Sequence, residues 1–78
     1  MKSITLYSKS NCPNCVAAKN LLDSKDLTYF VIDCDNPYEM GALREKYPEA
    51  RQLPQIVIDG QRVGGLAGLQ AALKQVGL

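Results

Sequence analysis

The chain has 78 residues, 46% of them apolar and 22% charged, which is material for one small domain with a modest core and excludes a disordered chain. Nine basic and eight acidic residues are spread along it for a formal charge of +1, so neither a nucleic-acid footprint nor a polybasic membrane anchor is evident. Three cysteines without a histidine argue against a fully paired disulfide framework and against a zinc site of Cys and His ligands completed within one chain.

Residues 2–7 alternate polar and apolar, with Ile4 and Leu6 on one face, and lead into the polar loop Ser8-Lys9-Ser10-Asn11; this predicts a first strand. Pro13 suits a first helical turn, where its missing N–H would be unpaired anyway. The helix should run to about Ser24, with Ala18 and Leu22 on the face of Cys15. The polar stretch Asp23-Ser24-Lys25-Asp26 breaks the pattern, and the β-branched and aromatic run Leu27–Ile32 predicts a buried second strand. Asn36-Pro37-Tyr38-Glu39 is a helix start, with Asn36 as cap and Glu39 placed to reach back in a capping box. Met40, Leu43 and Tyr47 form that helix's core stripe, and Pro48 ends it. Gln55–Ile58 and Gln61–Val63, joined by Asp59-Gly60, read as a tight hairpin. Gly64-Gly65 then interrupts, and Leu66, Leu69, Leu73 and Val76 stripe a final helix that stops near Gly77.

The order is therefore βαβαββα in a single domain spanning residues 1–78. A right-handed crossover makes the first two strands parallel and the hairpin makes the last two antiparallel, so the expected fold class is α/β with a four-stranded mixed sheet flanked by three helices.

Cys12-Pro13-Asn14-Cys15 lies at the first strand-to-helix junction. A thiol at a helix N-terminus sits beside unpaired backbone N–H groups and the positive end of the helix dipole, which favour the thiolate. No histidine is present to activate it in another way. Cys12 is placed to attack, and Cys15, one turn further in and less exposed, to resolve the mixed disulfide. The competing readings are half of a zinc or iron–sulfur site, or two inert buried thiols; the strand–CPxC–helix setting, with no other CxxC, favours the redox pair. Cys34 follows the second strand without a local partner and reads as a small buried apolar residue, not a catalytic one. Taken by itself, Pro54 reads as opening a strand in the trans form. Lys9 by itself reads as a solvated lysine, and Gly64 and Gly65 as a bland hairpin-to-helix turn.

Three segments together carry a resemblance: Tyr7–Cys15, Leu53–Gly60 and Val63-Gly64-Gly65. Over nearly its whole length the chain resembles a dithiol glutaredoxin, a small member of the thioredoxin-fold superfamily. The resemblance implies a thioredoxin-like fold, nucleophile and resolving roles for Cys12 and Cys15, and a cis bond before Pro54. It also implies a glutathione site drawn from Lys9, Pro13, Arg51, Leu53, Pro54, Gly65 and Leu66. In it Lys9 and Arg51 lie near the glycine carboxylate, and Leu53 offers backbone groups in a strand-like contact. The implied partners are glutathione as co-substrate and proteins carrying disulfides or glutathione mixed disulfides, with no bound cofactor or metal. Two departures stand out. Where many members have an acidic pair receiving the γ-glutamyl end, residues 66–68 here are Leu66-Ala67-Gly68, and Asn14 replaces a common tyrosine. The first departure keeps open a redoxin that draws electrons from thioredoxin reductase and serves ribonucleotide reductase. A module holding an iron–sulfur cluster between two chains through Cys12 is disfavoured by the rigid Pro13. The N-terminus shows no apolar leader or cleavage site and no segment reaches membrane-span length, so the expectation is a cytoplasmic monomer without membrane partners.

Overall fold

A computed structural model describes residues 3–50, 52–75 and 77. Its elements follow the expected order: β1 (Ile4–Ser8), α1 (Pro13–Ser24), β2 (Phe30–Asp33), α2 (Pro37–Lys46), β3 (Gln55–Ile58), β4 (Gln61–Gly64) and α3 (Leu66–Gln75). The strands form one mixed sheet in the order β2-β1-β3-β4, with β1 parallel to β2 and antiparallel to β3, and β3 antiparallel to β4. This is a thioredoxin-like architecture, as the sequence implied. No helix among the described residues is long and apolar enough to cross a membrane.

Side-chain alternation along β1 divides the core. Ile4 and Leu6 face α1 and α3, joining Ala18, Leu22, Ile56, Leu69 and Leu73 in the larger cluster. Tyr7 faces the other way, toward the smaller cluster of Cys34, Leu43 and Ala50 beneath α2. The face of α1 that carries Cys15 is thus the face anchored in the larger core, with Cys15, Ala18 and Leu22 all buried. Packing that holds the helix therefore also holds the second sulfur.

The expectation of a buried strand over 27–32 needs correction. The strand is Phe30–Asp33 and occupies the edge of the sheet, where Phe30 is 67% and Val31 49% exposed. Leu27 and Tyr29 do pack against the larger core, but from the connection before the strand. The apolar run records a mixture of core contacts and edge exposure that composition alone does not separate. At α2, the Asn36 side chain accepts from Tyr38 N at 2.9 Å as a cap should. The backbone N–H of Asn36 donates to the Asp33 carbonyl at 3.3 Å, the role the capping box had assigned to Glu39. Gly64, expected to interrupt, is the last residue of β4, and the β3–β4 register shifts between Ile56 and Val57. Arg51 and Val76 lie outside the described residues.

Candidate active site

Three segments converge at the ends of β1 and β3. The first is the start of α1. Cys12 is its N-cap, with extended backbone (φ −123°, ψ 96°), and Pro13 occupies the first turn. The Cys12 sulfur accepts from the backbone N–H of Cys15 at 3.2 Å, the position at which Ser or Asp oxygen usually caps a helix. The carbonyl of Cys12 accepts from Cys15 N and Val16 N at 3.1 and 3.2 Å. No acidic residue stands in this first turn to offset the positive end of the helix dipole. Negative charge on the sulfur of Cys12 is therefore favoured by an amide in contact and by the dipole behind it.

Cys12 and Cys15 are joined by a disulfide, with Cα atoms 5.2 Å apart, inside the range such bridges require. Cys12 is 8% exposed and Cys15 1%, so the first residue offers what little access there is. That is the asymmetry expected between an attacking and a resolving thiol.

The second segment is the turn into β3. The Leu53–Pro54 bond is cis, as the resemblance implied and the isolated reading of Pro54 did not. The Leu53 carbonyl lies 3.6 Å from the Cys12 sulfur, within reach of a Cys12 thiol as donor. Gln55, 6% exposed, braces this turn from behind: its amide N donates to the Gln52 carbonyl at 2.7 Å, and its amide O accepts from Arg62 at 3.2 Å. Arg62 also pairs with Glu49 at 3.2 Å. Neither Gln55 nor Arg62 had been singled out in the sequence. A polar residue at the head of an otherwise apolar strand, Gln55 before Ile56-Val57-Ile58, was the available signal.

The third segment is the exit from β4. Gly64 has φ +103°, a backbone conformation that favours glycine, and a Cβ on Gly65 would sit 3.4 Å from the Pro54 carbonyl, so it is at Gly65 that this segment passes beside the cis-proline turn. Leu66 opens α3 and packs against the larger core. A Cβ at Gly68 would collide with the Val63 backbone carbonyl. The close approach of α3 to β4 thus excludes a side chain at position 68, whereas position 67 is exposed.

Other expected residues are more distant in role. Lys9 is exposed at the start of the loop before Cys12; the carboxyl of Asp35 is held below its ordinary range first by the Ser10 hydroxyl and N–H, with the charge of Lys9 a smaller contribution. Cys34 is a free, buried thiol; burial first, then the charges of Glu39, Asp33 and Asp35, push it above the ordinary thiol value. Among the described residues no group of three or more His, Cys, Asp or Glu side chains is placed to hold a metal ion.

A CPxC pair capping a helix, faced by a cis-proline turn in a thioredoxin-like sheet, defines a thiol–disulfide oxidoreductase. Comparison with known proteins narrows the class. The glutaredoxin family profile matches residues 4–63. The chain is 33% identical to glutaredoxin 3 of Escherichia coli over 78 residues, covering 100% of this chain and 94% of that protein. It is 36% identical to glutaredoxin 1 of Rickettsia bellii over 69 residues, 83% of this chain and 70% of the relative. A buckwheat glutaredoxin solved as a glutathione complex superposes with a TM-score of 0.80 at 23% identity, covering 96% of this chain and 71% of that one. The chain belongs to the glutaredoxin family.

Proposed function

We propose that the protein reduces protein disulfides and glutathione mixed disulfides, with Cys12 as nucleophile, Cys15 as resolving thiol and glutathione as electron source. The observation that carries this reading is the Cys12 sulfur capping α1, where the Cys15 amide supports negative charge. The Cys12 thiolate attacks one sulfur of the substrate disulfide and expels the other as a thiolate, leaving a mixed disulfide at Cys12. The Cys15 thiolate then attacks the Cys12 sulfur, releasing the second substrate thiol and closing the Cys12–Cys15 bridge. Two glutathione molecules reopen it through a Cys12–glutathione intermediate and leave as glutathione disulfide. Leu53 and Pro54 form the wall against which an extended thiol peptide would lie, and Gly65 and Leu66 present the backbone at the start of α3. Pro13 stiffens the thiol loop, while Lys9 and Arg51 serve the glycine carboxylate. The binding of glutathione by the buckwheat relative supports this choice of thiol. A thiol pair and cis-proline turn brought together within one chain support a monomer, and a buried free Cys34 suits the reducing cytoplasm.

With glutathione, glutathione reductase and NADPH, a glutathionylated protein should be turned over well above the uncatalysed rate; no turnover would end this reading. Cys15→Ser should retain deglutathionylation and lose dithiol reduction, since only the latter uses an internal thiol.

One observation favours a second donor. The first turn of α3 has no acidic residue to pair the amino group of glutathione. A redoxin recharged by thioredoxin reductase and serving ribonucleotide reductase would not need one. Exchanging only the reductase in the same assay decides between the two.

A further inference from the structure

The chain leaves β1 at Ser8 and must turn into α1 by Pro13, and the turn is demanding. Asn11 has φ 56°, a left-handed conformation that most side chains disfavour and asparagine tolerates better than most, and Cys12 immediately after it is extended. The loop is fastened from outside its own segment. The backbone N–H and the hydroxyl of Ser10 both donate to one oxygen of Asp35, Oδ2, at 3.0 and 2.6 Å. Asp35 is itself placed by a local turn in which its N–H donates to Asp33 Oδ1 at 2.9 Å. The neighbouring Cys34 N–H donates to the Ser8 carbonyl at 2.7 Å, so the β1–β2 ladder runs directly into this fastening.

We propose that Asp35 is a positioning residue for Cys12: by pinning Ser10 it holds Asn11 in its left-handed turn and keeps the Cys12 sulfur seated on the first amides of α1. The proposal rests on the reading of Cys12 as nucleophile. The carboxylate is ionised at neutral pH, as a carboxyl with an ordinary value of 3.8 already would be, and the Ser10 hydroxyl first, then the Ser10 N–H, hold it lower still. Its charge alone would oppose a thiolate nearby. Pinning and charge therefore act in opposite directions on Cys12, and the sign of the effect separates them. Both bonds are solvent-exposed, so the effect is local and leaves global stability nearly unchanged.

The test is the pH dependence of alkylation at Cys12 by iodoacetamide, followed by mass spectrometry on the reduced full-length protein and on its Asp35→Ala and Asp35→Asn variants. Asn keeps an acceptor oxygen for Ser10 without the charge, whereas Ala keeps neither. Asp35→Ala should raise the Cys12 midpoint so that the thiolate fraction below it falls about threefold, while Asp35→Asn stays at or below the wild-type midpoint. Both variants should melt within about 3 °C of wild type. An Asp35→Ala midpoint at or below wild type overturns the proposal, as does an Asn variant that rises with the Ala variant. A wild-type midpoint in the ordinary thiol range overturns the nucleophile assignment itself, and the proposal with it.

Discussion

Cys12 and Cys34 are both 8% exposed, yet their surroundings differ. Cys12 meets a helix N-terminus with no acidic residue in its first turn. Cys34 sits in an apolar cluster with Glu39, Asp33 and Asp35 nearby, and its pKa is raised from 9.0, by burial before charge. Its thiol is therefore favoured in the native state, so its contribution to stability is complete below pH 9.0 and is lost as pH rises toward the native value. Tyr7, on the same side of the sheet, is raised from 10.0 by burial first and then by Tyr47, Cys34 and Glu39, which adds a loss of the same sign at higher pH. Urea unfolding between about pH 8 and pH 10 should show falling stability in wild type and a shallower fall in Cys34→Ala. Equal slopes would show that Cys34 does not report on folding. At this scale the paired thiols were legible, because spacing and a following proline are local signals. Ser10–Asp35 was not, since 25 residues separate the two and the parallel pairing of β1 with β2 brings them together; Gln55–Arg62 lies across the predicted hairpin and shows only once the register of its strands is known.

Among the elements, α3 begins without an acidic residue in its first turn. Replacing Gly68 by Ala would normally stabilise a helix by about 1 kcal/mol, but here the new methyl group meets the Val63 carbonyl. Net destabilisation of about 1–3 kcal/mol is expected from denaturant unfolding of Gly68→Ala. A neutral or stabilised variant would mean that α3 can move away from β4 at no cost. Ala67 is exposed in the same first turn, so Ala67→Asp should fold normally and place a carboxylate at the helix N-terminus. The KM for a glutathionylated substrate should fall in that variant, and an unchanged KM would show that the missing carboxylate does not limit binding. Element order was readable because the first two helices carry their own start signals, the third follows a double glycine with an apolar stripe, and Asp59-Gly60 marks the hairpin, with φ of 52° and 83° at the two residues. The burial of β2 was misread, because an edge strand and a central strand can share the same β-branched run; only sheet order tells them apart.

For the whole molecule, the two faces of the sheet divide the labour. The larger cluster fixes α1 and α3 to the central strands, and the smaller one seats α2 and reaches the cis-proline turn through Leu53. Leu6 is fully buried in β1, and Leu6→Ala should cost about 2–5 kcal/mol. That is a large share of the stability of a chain this size, which is typically about 5–15 kcal/mol. Leu43→Ala, in the smaller cluster, should cost less. The reverse order in urea unfolding would mean that the α2 side carries the fold. The most direct test of the account compares two sulfurs in one sample: alkylation of the reduced protein across pH, with Cys12 and Cys34 resolved by mass spectrometry. Cys12 should react with a midpoint well below the ordinary thiol value of about 8.5, while Cys34 titrates above it. A Cys12 midpoint at or above that of Cys34 would contradict the claim that the first turn of α1 holds the nucleophile as a thiolate.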